Sequence, residues 1–259
     1  MDLGISGRKA LLTASSRGLG RACAVALAGE GVNVTINGLN GENLARTAGE
    51  IRSLTSVEVL TVVADINTAE GRQQLLEVCP DPDILVNNNW GPPPGRWEDF
   101  EYGDWLQAVE SNMLAPIMMI KGVIDGMKAR RFGRIVNITS QMVKSPFGVM
   151  GLSAGARTGL TAAAKVLSRE VAEFNVTINN LLPERIDTER QVYMARKRAE
   201  SAGITYEEAR REIVDSIAAK RMGRPEEFGA ACAFFCSEQA SYISGQNLQL
   251  DGGTYRGVF

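Results

Sequence analysis

Along this chain, short runs of β-branched and aliphatic residues alternate with longer stretches in which apolar positions recur every three or four residues. The short runs fall at residues 9–13, 32–36, 57–63, 84–86, 134–138, 177–182 and 247–250. Each is the length of a strand. Helical spacing fills the gaps, most clearly over 19–29, 104–131 and 152–174. Strand and helix alternating at this interval predict an α/β fold, a doubly wound parallel sheet with helices on both faces. Gly91-Pro92-Pro93-Pro94-Gly95 interrupts the pattern after the fourth run and must be a loop. There it lies at the carboxyl edge of the sheet, where open α/β sheets bind ligands. The charged helical stretch 189–221 leaves the sixth run at the same edge. It is either a solvated helix pair or a lid over the ligand crevice, and the two are compatible.

Composition narrows the class. A chain of 259 residues with 44% hydrophobic content suffices for one core, so residues 1–259 form a single domain in this reading. The net charge of −2, with both signs interspersed, offers no footprint for nucleic acid or an anionic membrane. The first residues lack the basic start and apolar run of a secretion signal. No apolar stretch approaches the roughly 18–20 residues that span a bilayer. A cytoplasmic protein acting on a small molecule, with no nucleic-acid or membrane partner, is the expectation. The four cysteines, Cys23, Cys79, Cys232 and Cys236, are expected to be buried thiols, and with no histidine in the chain no metal site is expected. The absence of histidine also removes the commonest general base.

Candidate chemistry gathers at the turn between the first run and the first helix, Thr13-Ala14-Ser15-Ser16-Arg17-Gly18-Leu19-Gly20. Small residues there let an anion approach the backbone, and the helix N-terminus aims N–H groups at it. From this turn onward the chain resembles the short-chain dehydrogenase/reductase superfamily, 3-oxoacyl-carrier-protein reductase type. The turn matches T-G-x-x-x-G-x-G, with Ala14 at the first glycine. Asp65-Ile66 matches the adenine contact, and Asn87-Asn88-Asn89-Trp90-Gly91 stands at N-N-A-G. Asn112 matches the asparagine of the active-site helix, and Ser140 the catalytic serine at a strand end. Pro183, Ile186 and Thr188 lie in the P-G-x-x-x-T segment, with Glu184 at its glycine. Ser244-Gly245-Gln246 and Asp251-Gly252-Gly253 match the C-terminal signature. The resemblance implies a Rossmann fold, a homotetramer or homodimer, and a nucleotide held by Thr13, Ser15, Ser16, Arg17, Gly18, Leu19, Gly20, Asp65, Ile66, Asn87, Arg157, Ile186 and Thr188. After the second run stand Asn37-Gly38-Leu39-Asn40, with no carboxylate to repel a 2′-phosphate and no arginine directly following. Arg17 either supplies a cation to that phosphate or is a solvent-facing turn residue. NADP is therefore expected over NAD.

The reaction centre departs from the family. Thirteen residues after Ser140, in the slot of the family's proton-transferring tyrosine, stands Ser153. Four further, in the lysine slot, stands Arg157. An aliphatic hydroxyl is far less acidic than a phenol, whose pKa is about 10. Arginine keeps its charge and cannot relay protons. Halohydrin dehalogenases, relatives of the superfamily, also carry arginine in that slot, but they keep the tyrosine and lose the nucleotide turn. Ser153 is alternatively a helix cap. Three functions remain open. The first is an NAD(P)-dependent oxidoreductase with another acid: water near Asn112, Tyr193 or Tyr206, or Glu184. The second is a lyase or isomerase using Ser140 and Arg157 on an oxyanion. The third is a nucleotide-binding protein without chemistry. Trp90, Met142, Glu184, Tyr193, the 91–95 loop and the 189–221 stretch are expected to border the substrate. Trp90 and Met142 are equally consistent with packing roles, and Tyr102, Tyr242 and Tyr255 are expected to be packing residues.

Overall fold

All seven strands pair in parallel, in the order β3-β2-β1-β4-β5-β6-β7, in a computed structural model that describes residues 1–258. The chain runs β1 (Lys9–Leu12), α1 (Gly18–Gly29), β2 (Asn33–Gly38), α2 (Gly41–Leu54), β3 (Val59–Val63), α3 (Ala69–Val78) and β4 (Ile84–Asn87). It continues through α4 (Tyr102–Val109), α5 (Ala115–Arg130), β5 (Gly133–Ile138), α6 (Gly151–Val171) and β6 (Val176–Pro183). Then come α7 (Glu189–Ala202), α8 (Tyr206–Ser216), α9 (Pro225–Cys236) and β7 (Asn247–Leu250). Successive strand residues point to opposite faces. Leu12, Val86 and Val136 therefore enter a core under α1, α2 and α9, while Leu11, Leu85 and Ile135 enter one under α3, α5 and α6. The four cysteines are buried free thiols, three of them in the first core.

The expected helix over 104–131 is broken. A π turn at Glu110–Leu114 separates α4 from α5, and Ala115 N–H reaches back to the Glu110 carbonyl. Pro116 has no N–H to donate to the Asn112 carbonyl, so a regular α-helical ladder cannot pass this point. The stretch 189–221 forms a helix pair with a small core of its own, built from Ala195, Ile213, Ile217 and Met222. Tyr102 and Tyr242 are solvent-exposed and do not pack within the chain, contrary to expectation.

One polar row crosses the sheet. Asn87, Asn137, Asn180 and Asn247 are partners in register on β4, β5, β6 and β7. Asn87 Nδ2 donates to Asn137 Oδ1 (3.0 Å), Asn137 Nδ2 to Asn180 Oδ1 (3.0 Å), and Asn180 Nδ2 to Asn247 Oδ1 (2.8 Å). Buried amides are costly unless paired, so the row holds only in this register. Asn137→Ala removes the middle link and leaves Asn180 Oδ1 without its donor. The expected cost is about 2–4 kcal/mol, a fall in Tm of roughly 5–10 °C. Thermal unfolding of the variant measures it, and an unchanged Tm would refute the structural role of the row.

Candidate active site

A cleft of about 350 Å³ opens along the carboxyl ends of the strands, from the β1–α1 turn to the start of α6. The turn forms its floor. Ala14, where the resemblance has glycine, is held at φ +42°, a region that favours glycine. Its N–H is held by Asn37 Oδ1 (3.1 Å), and Asn37 Nδ2 donates to the Val62 and Ala64 carbonyls (3.1 and 2.9 Å). Asn37 thus fastens the turn to the end of β3, a role that sequence reasoning missed because the accepting carbonyls come from a neighbouring strand. A Cβ on Gly20 would lie 2.5 Å from the Ala14 carbonyl oxygen, so glycine is needed for helix and turn to approach. α1 carries no side-chain cap and no acid in its first turn, whereas Asn40, Thr68 and Thr205 cap other helices. Its first N–H groups therefore remain available to an anion.

Ser16, Arg17, Gly18, Leu19, Asp65, Ile66, Ile186 and Thr188 all line the cleft. Thr13, Ser15, Gly20 and Asn87 do not; they support it from behind. Thr13 Oγ1 donates to the Asn88 carbonyl (2.7 Å) and accepts from Asn88 N–H (2.8 Å), tying β1 to β4. Ser15 Oγ donates to the Leu12 carbonyl (2.8 Å). Asn87 is committed to the asparagine row and to the Pro116 carbonyl. At the β2 end, Asn40 and Asn43 line the cleft, and Arg46 Nη2 donates to Asn43 Oδ1 (2.7 Å). Arg46 was overlooked in the sequence because it lies one and a half turns into α2 rather than directly after β2.

At the other end, Ser140, Ser153 and Arg157 line the cleft. Ser140 Oγ accepts from Met142 N–H (3.2 Å), which leaves the hydroxyl proton free to donate into the cleft. Ser153 is buried in the first turn of α6 and does not cap it. Arg157 is buried, with Nη1 donating to the Ile138 and Thr139 carbonyls (2.7 and 3.0 Å). Burial, and after it the charge of Arg190, presses its pKa down to about 10, which leaves it a cation at neutral pH. Glu184 lines the cleft, its carboxylate 3.0 Å from Arg185 Nε. Burial raises its pKa, opposed by the Arg185 charge and a hydrogen bond from Gln141.

Several expected neighbours lie elsewhere. Asn112 is buried in the π turn, where its amide donates to Ser111 Oγ (2.8 Å) and to the Trp90 carbonyl (3.4 Å). It positions the Trp90 segment and does not line the cleft. Tyr193 stands behind Trp90, ring centroids 6.5 Å apart, and Tyr206 packs on the α7–α8 core. Among the described residues no tyrosine lines the cleft. Trp90 and Met142 do line it, as does Gly91, but Pro92–94 do not. Instead the Pro92 carbonyl accepts from Arg190 Nη2 (2.8 Å). No group of histidine, cysteine or acidic side chains among the described residues could hold a metal.

These elements fit a dinucleotide: an uncapped helix end at a close-packed turn, an apolar slot at Ile66, and hydroxyl and guanidinium donors at the far end. One group opposes it. Glu189 Oε2 is 3.7 Å from where a Gly18 Cβ would sit. This residue is exposed, so its carboxylate turns to solvent at little cost.

The sequence profile of the family described as "Enoyl-(Acyl carrier protein) reductase" matches residues 13–255. The chain is 30% identical to the NADPH-dependent reductase BacG of Bacillus subtilis, covering 98% of this chain and 100% of that one. It is 28% identical to the 3-oxoacyl-[acyl-carrier-protein] reductase FabG of Aquifex aeolicus, again over 98% and 100%. L-sorbose reductase from Gluconobacter frateurii, solved with NADPH and L-sorbose, superposes with a TM-score of 0.94 at 28% identity over the whole of both chains.

Asn37→Asp keeps an acceptor for Ala14 N–H but loses both donations to β3. It is expected to cost about 2–3 kcal/mol, roughly 5–10 °C in Tm, and to weaken NADPH binding at least tenfold. Thermal unfolding and a fluorescence titration check both. An unaltered Kd would separate Asn37 from the nucleotide turn.

Proposed function

The chain belongs to the short-chain dehydrogenase/reductase superfamily, and from that premise we propose that it is an NADP(H)-dependent oxidoreductase of a small carbonyl or alcohol compound whose proton chemistry runs without tyrosine. The observation that carries the reading is one continuous cleft joining the phosphate turn at Ser16–Leu19 to Ser140, Ser153, Arg157 and Glu184. NADPH dependence in BacG and NADPH in the L-sorbose reductase structure support the choice of cofactor. Arg46 beside Asn43 offers a cation to a 2′-phosphate, while Arg17 lies over the Trp90 ring (5.4 Å) instead, and no carboxylate replaces Asn37 to repel the phosphate.

When bound, the nicotinamide supplies or takes the hydride. This chain's residues handle the oxygen. The Ser140 hydroxyl donates to the substrate oxygen, and Ser153, shorter than a phenol, leaves room beside it. Arg157 contributes a fixed positive charge where negative charge grows on that oxygen, in a cavity that strengthens the interaction. Of the acids considered from sequence, Glu184 is the one lining the cleft, and burial favours its protonated form. We assign it the proton that reaches the substrate oxygen, directly or through one water. The lyase reading shares Ser140 and Arg157 but leaves the phosphate turn without a use.

Apolar side chains exposed on α4, α5 and α6, among them Leu106, Met118 and Val166, support a homo-oligomer through those helices. Among the described residues no helix is long and apolar enough to cross a membrane.

Purified protein is expected to oxidise NADPH with a member of a panel of keto esters, ketoses and keto acids. Ser140→Ala should lower kcat/KM at least 100-fold, in line with loss of one oxyanion donor. Reduction should fall as pH rises through the elevated Glu184 pKa, because the donor proton is lost there. Glu184→Gln should lower kcat and flatten that limb. No NADPH oxidation with any panel member, or an unchanged pH profile in Glu184→Gln, would contradict the assignment.

A further inference from the structure

The substrate end of the cleft carries more positive charge than its own residues neutralise. Arg157 and Arg190 approach from different helices, α6 and α7. Their Nη2 atoms lie 3.5 and 3.7 Å from the point a Gly91 Cβ would occupy, so both converge on the space above that glycine. Neither has a carboxylate partner among the described residues. The ion pairs near them are Arg185–Glu184 and Arg210–Asp187. Arg157 spends Nη1 on the Ile138 and Thr139 carbonyls, and its other donors stay unused. Arg190 spends Nη2 on the Pro92 carbonyl, while its Nη1 is buried with no hydrogen-bond partner. Trp90 holds the Arg190 guanidinium over its ring at 5.3 Å, and Tyr193 flanks it at the same distance.

The remaining acids on the cleft wall do not answer this charge. Asp65 lies at the β3 end and accepts from Asn67 N–H (2.9 Å), and Glu189 lies toward Gly18 at the phosphate turn. Two like charges side by side, one buried and one half-buried, are costly unless something negative joins them. A planar anion satisfies both, since each guanidinium offers parallel N–H donors to two oxygens.

We propose that Arg157 and Arg190 form a carboxylate-binding site, so that the enzyme's carbonyl substrate is a keto acid. This deepens the reading above and rests on it. The Nη2 groups of Arg157 and Arg190, which converge above Gly91, take the carboxylate, Arg190 through the Nη2 hydrogen not given to the Pro92 carbonyl, with the reacting carbonyl turned toward Ser140. Gly91 is part of the site, because any side chain there would stand between the two guanidinium groups.

Calorimetric titration of the protein, with and without saturating NADP⁺, tests this with three acid and amide pairs. These are 2-oxobutanoate with 2-oxobutanamide, 3-oxobutanoate with 3-oxobutanamide, and 4-oxopentanoate with 4-oxopentanamide. At least one acid is expected to bind ten times more tightly than its amide or better. Arg190→Gln and, independently, Gly91→Val should abolish that preference, with NADP⁺ affinity in Arg190→Gln within threefold of wild type. Equal binding of acid and amide in every pair overturns the proposal. So does an Arg190→Gln variant that keeps the preference and loses NADP⁺ affinity instead, which would hand the arginine to the cofactor's phosphates. Failure of the wild type to bind NADP⁺ at all defeats the nucleotide reading alone, because the comparison without nucleotide still reports on the arginine pair.

Discussion

Four asparagine side chains, one from each of β4, β5, β6 and β7, donate in sequence across the sheet. Slipping any of these strands by one residue would turn its asparagine to the other face and strand buried amides. The row therefore sets where each strand ends relative to its neighbours. Asn88 follows directly after Asn87 and exchanges hydrogen bonds with Thr13, which joins β4 to β1 at the point where the strand order reverses. Ser140 lies three residues beyond Asn137, and Glu184 four beyond Asn180. The phosphate turn, the serine and the acid share one edge because the row beneath them admits a single register. A crevice at the reversal then follows from the topology, since the crossovers from β1 and β4 leave in opposite directions.

Above that edge the cleft divides by charge. Its turn end offers backbone N–H groups and an uncapped helix, suited to phosphates. Its far end offers hydroxyls, a buried guanidinium and an acid whose pKa burial raises. The arginine in the lysine slot alters the logic of the centre. A lysine beside a tyrosine lowers a phenol's pKa, but a guanidinium that does not titrate at neutral pH can only stabilise negative charge. In the proposed reaction proton delivery falls to a different group, Glu184, which stands at the position of the family's glycine. The same arginine, paired with Arg190, links the reaction centre to substrate recognition through one buried charge.

Much of this was legible in the chain. All seven strands were visible as short runs, five of them (β1, β2, β4, β5 and β6) nearly continuous because strands buried on both faces need no polar alternation. The phosphate turn could be placed by its position after the first run, and Asp65-Ile66, Ser140 and the Ser153–Arg157 substitution by the resemblance to the family. What escaped depended on contacts between distant segments. Asn37 looked like a cofactor-selecting position and proved to be a fastening for the turn. Asn87 and Asn112 resembled site residues, but their amide nitrogens donate to the asparagine row and to the Trp90 carbonyl, and neither residue lines the cleft. The π turn at Glu110–Leu114 interrupts a stretch whose apolar spacing suggests one long helix, and only Pro116 hinted at the break. Arg190 sat within a run of charges, indistinguishable in sequence from its solvated neighbours.

The central claim is that carbonyl reduction here needs no phenol. It can be tested by replacing all five tyrosines, Tyr102, Tyr193, Tyr206, Tyr242 and Tyr255, with phenylalanine in one variant. Circular dichroism would confirm that the fold is retained. NADPH-dependent turnover would then be measured on the best carbonyl substrate of the wild type. The account predicts a kcat within about threefold of wild type, since that factor is well under 1 kcal/mol of barrier. A loss of 100-fold or more in a folded variant that still binds NADPH would mean that a tyrosine delivers the proton after all.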